Sequence, residues 1–199
     1  MEDNYKNKIE NYQSDCKVLL GKNNNFSDYI KQFANNVNGH GLDLGIGPKG
    51  CNSRYFSHCV LDGCDVSKDV LNSVSEKQYN KLFQYNLACE SLPYKNGELD
   101  FIFCSCVIQH LNSWEELENG IREISTKVKN MFYLMFKAGV NNTILSHYNE
   151  YYGERRDFRV FHPDNVSQLC QKYGLIEKDR ELFVDDNWIP YVCMIFYKK

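Results

Sequence analysis

Short apolar runs alternate along the chain with stretches in which apolar positions recur every three or four residues. That pattern predicts a largely parallel α/β sheet. Residues 41–45 (GLDLG) read as a short strand ending in glycine, and the loop through Gly50 as a turn into a helix. Cys59–Asp65 is a second strand, followed by Ser67 as a helix N-cap and by Val70, Leu71 and Val74 on one helix face. Leu82–Asn86 gives a third strand, and Leu99–Val107 a fourth, apolar almost throughout as a strand buried on both faces should be. Ser113 and Glu116 form a capping box, with Trp114, Leu117, Ile121, Ile124 and Val128 following at helical spacing. Met131–Phe136 is a fifth strand. His162-Pro163 opens a helix with Val166, Leu169, Cys170 and Tyr173 on its core face and Gly174 as its stop. Ile176–Val184 and Pro190–Tyr197 close the chain as two more strands. Two strands after a single helix predict a seven-stranded sheet in the order 3-2-1-4-5-7-6, the last strand antiparallel, with helices on both faces.

The chain has 199 residues, room for one domain (1–199) with a full core. Lys and Arg number 23 against 26 Asp and Glu, a net charge of −3, so there is no electrostatic footprint for a nucleic-acid partner. The polar start MEDNYKNKIENYQSD carries no apolar core of a secretory leader, and the longest apolar stretches, Phe101–Ile108 and Ile189–Tyr197, are about half a membrane span. The expectation is a cytoplasmic protein without a membrane partner. Nine cysteines in such a chain read as small buried hydrophobes, because their number is odd and no C-x-x-C occurs. No metal site is expected.

The most specific local signal is Asp43-Leu-Gly45-Ile46-Gly47-Pro-Lys-Gly50. Gly45, Gly47 and Gly50 satisfy the dinucleotide pattern G-x-G-x-x-G, with Asp65 after the next strand. Asp43, however, stands on the strand just before the loop. At about 4 Å a carboxylate there would repel a pyrophosphate by roughly 1 to 4 kcal/mol, and it would favour a cationic ligand such as S-adenosylmethionine. With this loop, the chain resembles the class I S-adenosylmethionine-dependent methyltransferases of the small-molecule, type 11-like kind. Asp43–Gly47 resembles their first motif, Gly63-Cys-Asp65-Val66-Ser67 the second, and Asn86-Leu87 leading into Glu90-Ser-Leu-Pro-Tyr94 the third. Leu99–Cys104 resembles the fourth strand, Gln109-His110-Leu111 the ending usual after it, and Phe161–Gly174 the penultimate helix. The third motif offers Asn86, or Ala88 in the other register, where that family offers Asp.

The resemblance implies a Rossmann-like fold and S-adenosyl-L-methionine as cofactor. It implies Asp43, Gly45, Ile46, Gly47, Asp65, Val66, Asn86, Leu87 and the backbone of Cys104 as its site, with both ribose hydroxyls on Asp65. It places residues 1–38 as an N-terminal cover and 138–160 as a substrate-covering insertion. That insertion holds His147, Tyr148, Tyr151, Tyr152, Arg155, Arg156 and Arg159, and arginines beside tyrosines suit an anionic group on a small acceptor. Tyr148, Tyr152 and the three arginines are the candidate substrate residues; a solvated amphipathic helix is the alternative reading. Methyl transfer from a sulfonium is an in-line displacement, so a base, His147 or His110, is needed only for a protonated acceptor. The expected reaction is methylation of an O or N atom of a small, in one reading anionic, metabolite by a monomer or homodimer. A nicotinamide-dependent oxidoreductase and a non-catalytic partner protein of the same fold are the alternatives.

Overall fold

A computed structural model describes residues 24–75, 77–139, 143–149, 154–184 and 190–199. Its regular elements, in chain order, are α1 (Asn24–Asn35), β1 (His40–Leu44), β2 (Val60–Asp65), α2 (Lys68–Asn72), β3 (Lys81–Gln84), β4 (Leu99–Ser105), α3 (Trp114–Lys127), β5 (Val128–Lys137), β6 (Thr143–Asn149), β7 (Glu154–Val160), α4 (Pro163–Lys172), β8 (Leu175–Val184) and β9 (Pro190–Lys198). Seven strands form one sheet in the order β3-β2-β1-β4-β5-β9-β8. The first five pair in parallel, and β9 runs antiparallel to both its neighbours. With β8 and β9 as the sixth and seventh strands of the sheet, this is the predicted order.

The centre of the sheet is buried on both faces. On β4, Ile102 and Cys104 pack under α3 and α4 with Leu117, Ile121, Ile124, Val166 and Leu169. Phe101 and Phe103 of the same strand point the other way, toward α1. There the Phe33 ring lies 5.3 to 6.2 Å from the rings of Phe56, Phe101, Phe103 and Tyr133. Aromatic pairs at such spacings contribute about 0.5 to 1.5 kcal/mol each beyond their area. This is where α1, the described part of the predicted N-terminal cover, docks. Residues 1–23 and Tyr152 lie outside the described residues.

The structure corrects the sequence in two places. No α-helix follows β1: only single 3-10 turns occur, at Pro48–Gly50 and Ser53–Phe56. Gly47, Lys49 and Gly50 have φ of 61, 63 and 53°, values a right-handed helix cannot accept. The second correction concerns the alternative reading of His147–Phe161 as a solvated amphipathic helix. Its described residues up to Val160 lie in a pair of antiparallel strands, β6 and β7, in keeping with the β-favouring Thr143, Ile144, Tyr148, Phe158 and Val160.

The capping box at α3 forms with a shift. Ser113 Oγ accepts from the Glu116 amide at 3.1 Å, but the Glu116 carboxylate takes the amide of Asn112 at 2.7 Å, one residue earlier than the box requires. This pairing fixes Asn112 and Glu116 together beside the cleft.

Candidate active site

The carboxyl ends of β1, β2 and β4 open into a cleft of about 540 Å³, the size of a small-molecule site. Gly45 and Gly47 form one side. Gly45 has φ of 76°, and a Cβ there would lie 2.2 Å from Val107 Cγ2 across the cleft, so only glycine lets the loop approach the opposite wall. The loop's amides point inward: Gly45 and Ile46 both donate to the Cys64 carbonyl, at 2.8 and 3.1 Å. Gly47 donates to Asp65 Oδ2 at 3.2 Å, and Ser67 donates to Asp65 Oδ1 at 2.9 Å. Burial raises the Asp65 carboxyl above its usual range against these two amides. Each of its oxygens retains a second lone pair for a ligand.

Asp65 and Val66 continue the wall, followed by Tyr85, Asn86, Leu87 and Ala88. Asn86 and Ala88, the two registers of the third motif, both face the cleft; Asn86 Oδ1 accepts from the Ala88 amide at 3.0 Å, which joins them in one turn. The far wall is Ser105, Cys106 and Val107, with His110, Leu111, Asn112 and Glu116 at its mouth. Cys106 has φ of 60°, a backbone state L residues rarely adopt, and its amide is anchored on Met135 O at 2.9 Å. Burial pushes its thiol up to about 12, so it is not a nucleophile at neutral pH.

Three predicted cofactor residues stand behind these walls. Ile46 and Cys104 are buried in the two halves of the core, and the positions beyond Cys104, Ser105 and Cys106, take the place expected for it. Asp43 is fully buried beneath the loop. Its Oδ2 accepts from the Tyr79 hydroxyl at 2.7 Å, its Oδ1 has no hydrogen-bond partner, and burial raises its carboxyl to about 7. Sequence reasoning had no signal for Tyr79, which belongs to no motif and precedes β3.

The hairpin reaches the cleft mouth. Phe158 of β7 lies edge-on to His110, ring centroids 5.6 Å apart, and under the ammonium of Lys137 at 3.5 Å. Arg159 donates to the carbonyls of Leu111 (3.4 Å) and Asn112. The remaining predicted substrate and base positions are placed by strand register: His147 opposite Arg156 and Tyr148 opposite Arg155. Among the described residues no cluster of His, Cys, Asp or Glu could hold a metal ion, and no helix is long and apolar enough to cross a membrane.

No curated protein matches the sequence. Solved structures share the fold. The PH0226 protein of Pyrococcus horikoshii is 16% identical, with a TM-score of 0.69 over 94% of this chain and 91% of that one. A TehB-like SAM-dependent methyltransferase from Corynebacterium glutamicum is 15% identical, with a TM-score of 0.65 over 96% and 98%. The glycopeptide N-methyltransferase MtfA, solved with S-adenosyl-L-methionine, is 12% identical, with a TM-score of 0.60 over 87% of each chain. A sequence model of the family described as a methyltransferase domain matches residues 42–136, the span from β1 into β5 that holds the glycine loop, Asp65, Asn86 and His110. The matched segment is a methyltransferase domain, and the whole chain has the fold of solved S-adenosylmethionine-dependent methyltransferases.

The chemistry of the cleft fits that cofactor. A dinucleotide brings a pyrophosphate, which needs free amides and a helix N-terminus. Here the loop amides of Gly45, Ile46 and Gly47 are already spent on Cys64 and Asp65, and no α-helix stands between β1 and β2. Two carboxylates, Asp43 and Asp65, flank the loop instead, and the unpartnered Oδ1 of Asp43 is an acceptor suited to a cationic ammonium. Gly45 and Gly47 would hold the amino-acid end of S-adenosylmethionine, Asp65 its ribose and Asn86–Ala88 its adenine.

Proposed function

We propose that this methyltransferase methylates an oxygen or nitrogen atom of a small metabolite whose anionic group is held by the β6–β7 hairpin. The observation that carries this reading is the junction of hairpin and cleft: Phe158 against His110 and Lys137, with Arg159 tied to the cleft mouth at Leu111 and Asn112. The His147–Arg156 pair stands two register positions beyond Leu145–Phe158, the spacing at which strand residues share a face. A net charge of −3 favours a small molecule over a nucleic acid as acceptor. A monomer or homodimer suffices for such a site.

When bound, S-adenosylmethionine supplies an electrophilic methyl group on a sulfonium. The chain's task is to position the acceptor in line and exclude water. Leu87, Val107 and Leu111 give the cleft apolar walls for that purpose. A carboxylate acceptor needs no base; an amine or phenol loses its proton to His110, which lines the cleft, or to His147.

Turnover of S-adenosylmethionine with a panel of small acids, amines and phenols tests the proposal, with turnover expected for an anionic acceptor. With that acceptor, Arg155→Ala or Arg156→Ala is expected to raise KM by roughly thirtyfold or more, the loss of about 2 kcal/mol typical of a desolvated charge pair, with cofactor affinity unchanged. The effect should fall on one arginine. An acceptor turned over equally well by both variants would show that the hairpin does not bind it. Arg159→Ala acts differently, because its guanidinium already serves two carbonyls. It is expected to loosen the hairpin, seen as faster amide hydrogen exchange along β6 and β7, while exchange in the central strands β1 and β4 stays unchanged.

A further inference from the structure

Asp43 and Gly63 are register partners on adjacent strands, so their side-chain positions share one face of the sheet. The missing side chain of Gly63 leaves a slot, and the Tyr79 ring fills it. A Cβ on Gly63 would sit 2.8 Å from Tyr79 Cδ1, and one on Gly50, in the glycine loop, 2.6 Å from Tyr79 Cε2. The ring is therefore clamped between β2 and the loop, 6% exposed, and its hydroxyl reaches Asp43 Oδ2 at 2.7 Å. Phenylalanine would fill the same slot. The hydroxyl's use is the carboxylate, which lies one residue behind Leu44 and two behind Gly45, both in the cleft wall.

We propose that Tyr79 is a positioning residue for cofactor capture: its hydroxyl fixes one oxygen of Asp43 and favours the carboxylate, whose other oxygen and charge are thereby offered to the cofactor's ammonium. This rests on the reading of Asp43 as part of the cofactor site. The groups that face Asp43 are Tyr79 from the segment before β3, Cys51 and Asn52 from the turn after the glycine loop, and Asp65 from the end of β2; the thiols of Cys64 and Cys104 are within electrostatic range from β2 and β4. Burial, Cys51 and Asp65 work against ionisation of Asp43, whereas hydrogen bonding from Tyr79, and more weakly from Asn52, works for it. Removing the hydroxyl leaves only the weaker support of Asn52 against the opposing forces, so Asp43 titrates higher.

The test uses the full chain and two probes, S-adenosylhomocysteine and 5′-methylthioadenosine, which lacks the ammonium. Calorimetric titrations run from about pH 5.5 to about pH 8.5, across the range in which Asp43 ionises. Wild-type affinity for S-adenosylhomocysteine is expected to rise with pH as Asp43 ionises. In Tyr79→Phe it should be lower by about tenfold near pH 7, the loss of one hydrogen bond to a charged group, with the midpoint displaced upward. Affinity for 5′-methylthioadenosine should be unchanged at every pH. Equal loss for both probes would assign Tyr79 a merely structural role and overturn the inference, as would a Tyr79→Phe profile identical to wild type. No binding of either probe to wild type would overturn the cofactor reading itself. Should Tyr79→Phe fail to fold, Asp43→Asn carries the test. It must bind S-adenosylhomocysteine more weakly with a flat pH profile and leave 5′-methylthioadenosine unaffected; a retained pH dependence would exclude Asp43, and with it Tyr79.

Discussion

Asp43→Asn is expected to stabilise the protein at pH 8 and not at pH 5, even though it weakens cofactor capture. Asp43 is fully buried and its carboxyl is raised from 3.8 to about 7 by burial. Between those two values the unfolded chain carries the charge and the folded chain carries the proton. The contribution of this group to stability is therefore fully present below 3.8 and is lost as pH rises through about 7. At about 1.4 kcal/mol per unit the whole loss is on the order of 4 kcal/mol. Asparagine stays neutral at every pH, so the stability difference between variant and wild type should grow by about 3 kcal/mol from pH 5 to pH 8. Its amide brings buried donors that cost about 1 to 3 kcal/mol, which offsets the gain at the acid end. Urea unfolding at the two pH values measures the difference. A difference that does not change with pH would mean that Asp43 ionises as readily in the folded chain as in the unfolded one. Asp62 works in the opposite sense and cancels in this comparison. Burial raises Asp62, but hydrogen bonds from Asn80, Tyr94 and His40 outweigh it and hold its carboxyl low, so its contribution is lost as pH falls.

The strands were legible because a strand between two helical layers must be apolar on both faces, and Leu99-x-Phe101-Ile102-Phe103-Cys104 is almost continuously so. The glycine loop was legible because close backbone approach leaves only one residue type at Gly45. Its aftermath was not: the expected helix after β1 fails because the left-handed Lys49 is a conformation no propensity scale assigns to lysine. In the insertion at 138–160 the strongest sequence signal is charge, and arginines with acids suit a helix face as well as a strand. Its β-branched and aromatic positions decided between them once the hairpin could pair. Tyr79 was invisible for a different reason. Its partners Asp43, Gly50 and Gly63 are separated from it by 16 to 36 positions, and only the register of β1 with β2 brings them together.

Asp65→Ala is expected to weaken S-adenosylhomocysteine by about 1.5 to 3 kcal/mol, the range for hydrogen bonds to a charged group, or roughly tenfold to more than a hundredfold. Two causes contribute. The carboxylate would accept the ribose hydroxyls with its outer lone pairs, and it also ties the loop at Gly47 to the start of α2 at Ser67. Truncation alone cannot separate contact from support, but a cycle with a ligand lacking the 2′-hydroxyl can. If Asp65 touches the ribose, the 2′-deoxy ligand binds wild type more weakly and Asp65→Ala no better or worse than its parent compound, giving a coupling energy of about 1 kcal/mol or more. Equal penalties for the missing hydroxyl in both proteins would assign Asp65 wholly to the loop. Asp65→Asn sharpens the distinction. Its amide nitrogen must face the N–H of either Gly47 or Ser67, donor against donor, so it should disturb the loop about as much as alanine does, whereas its remaining oxygen can still accept one ribose hydroxyl. A variant that keeps part of the coupling while losing the loop's order would place the ribose contact on Asp65 independently of the support it gives.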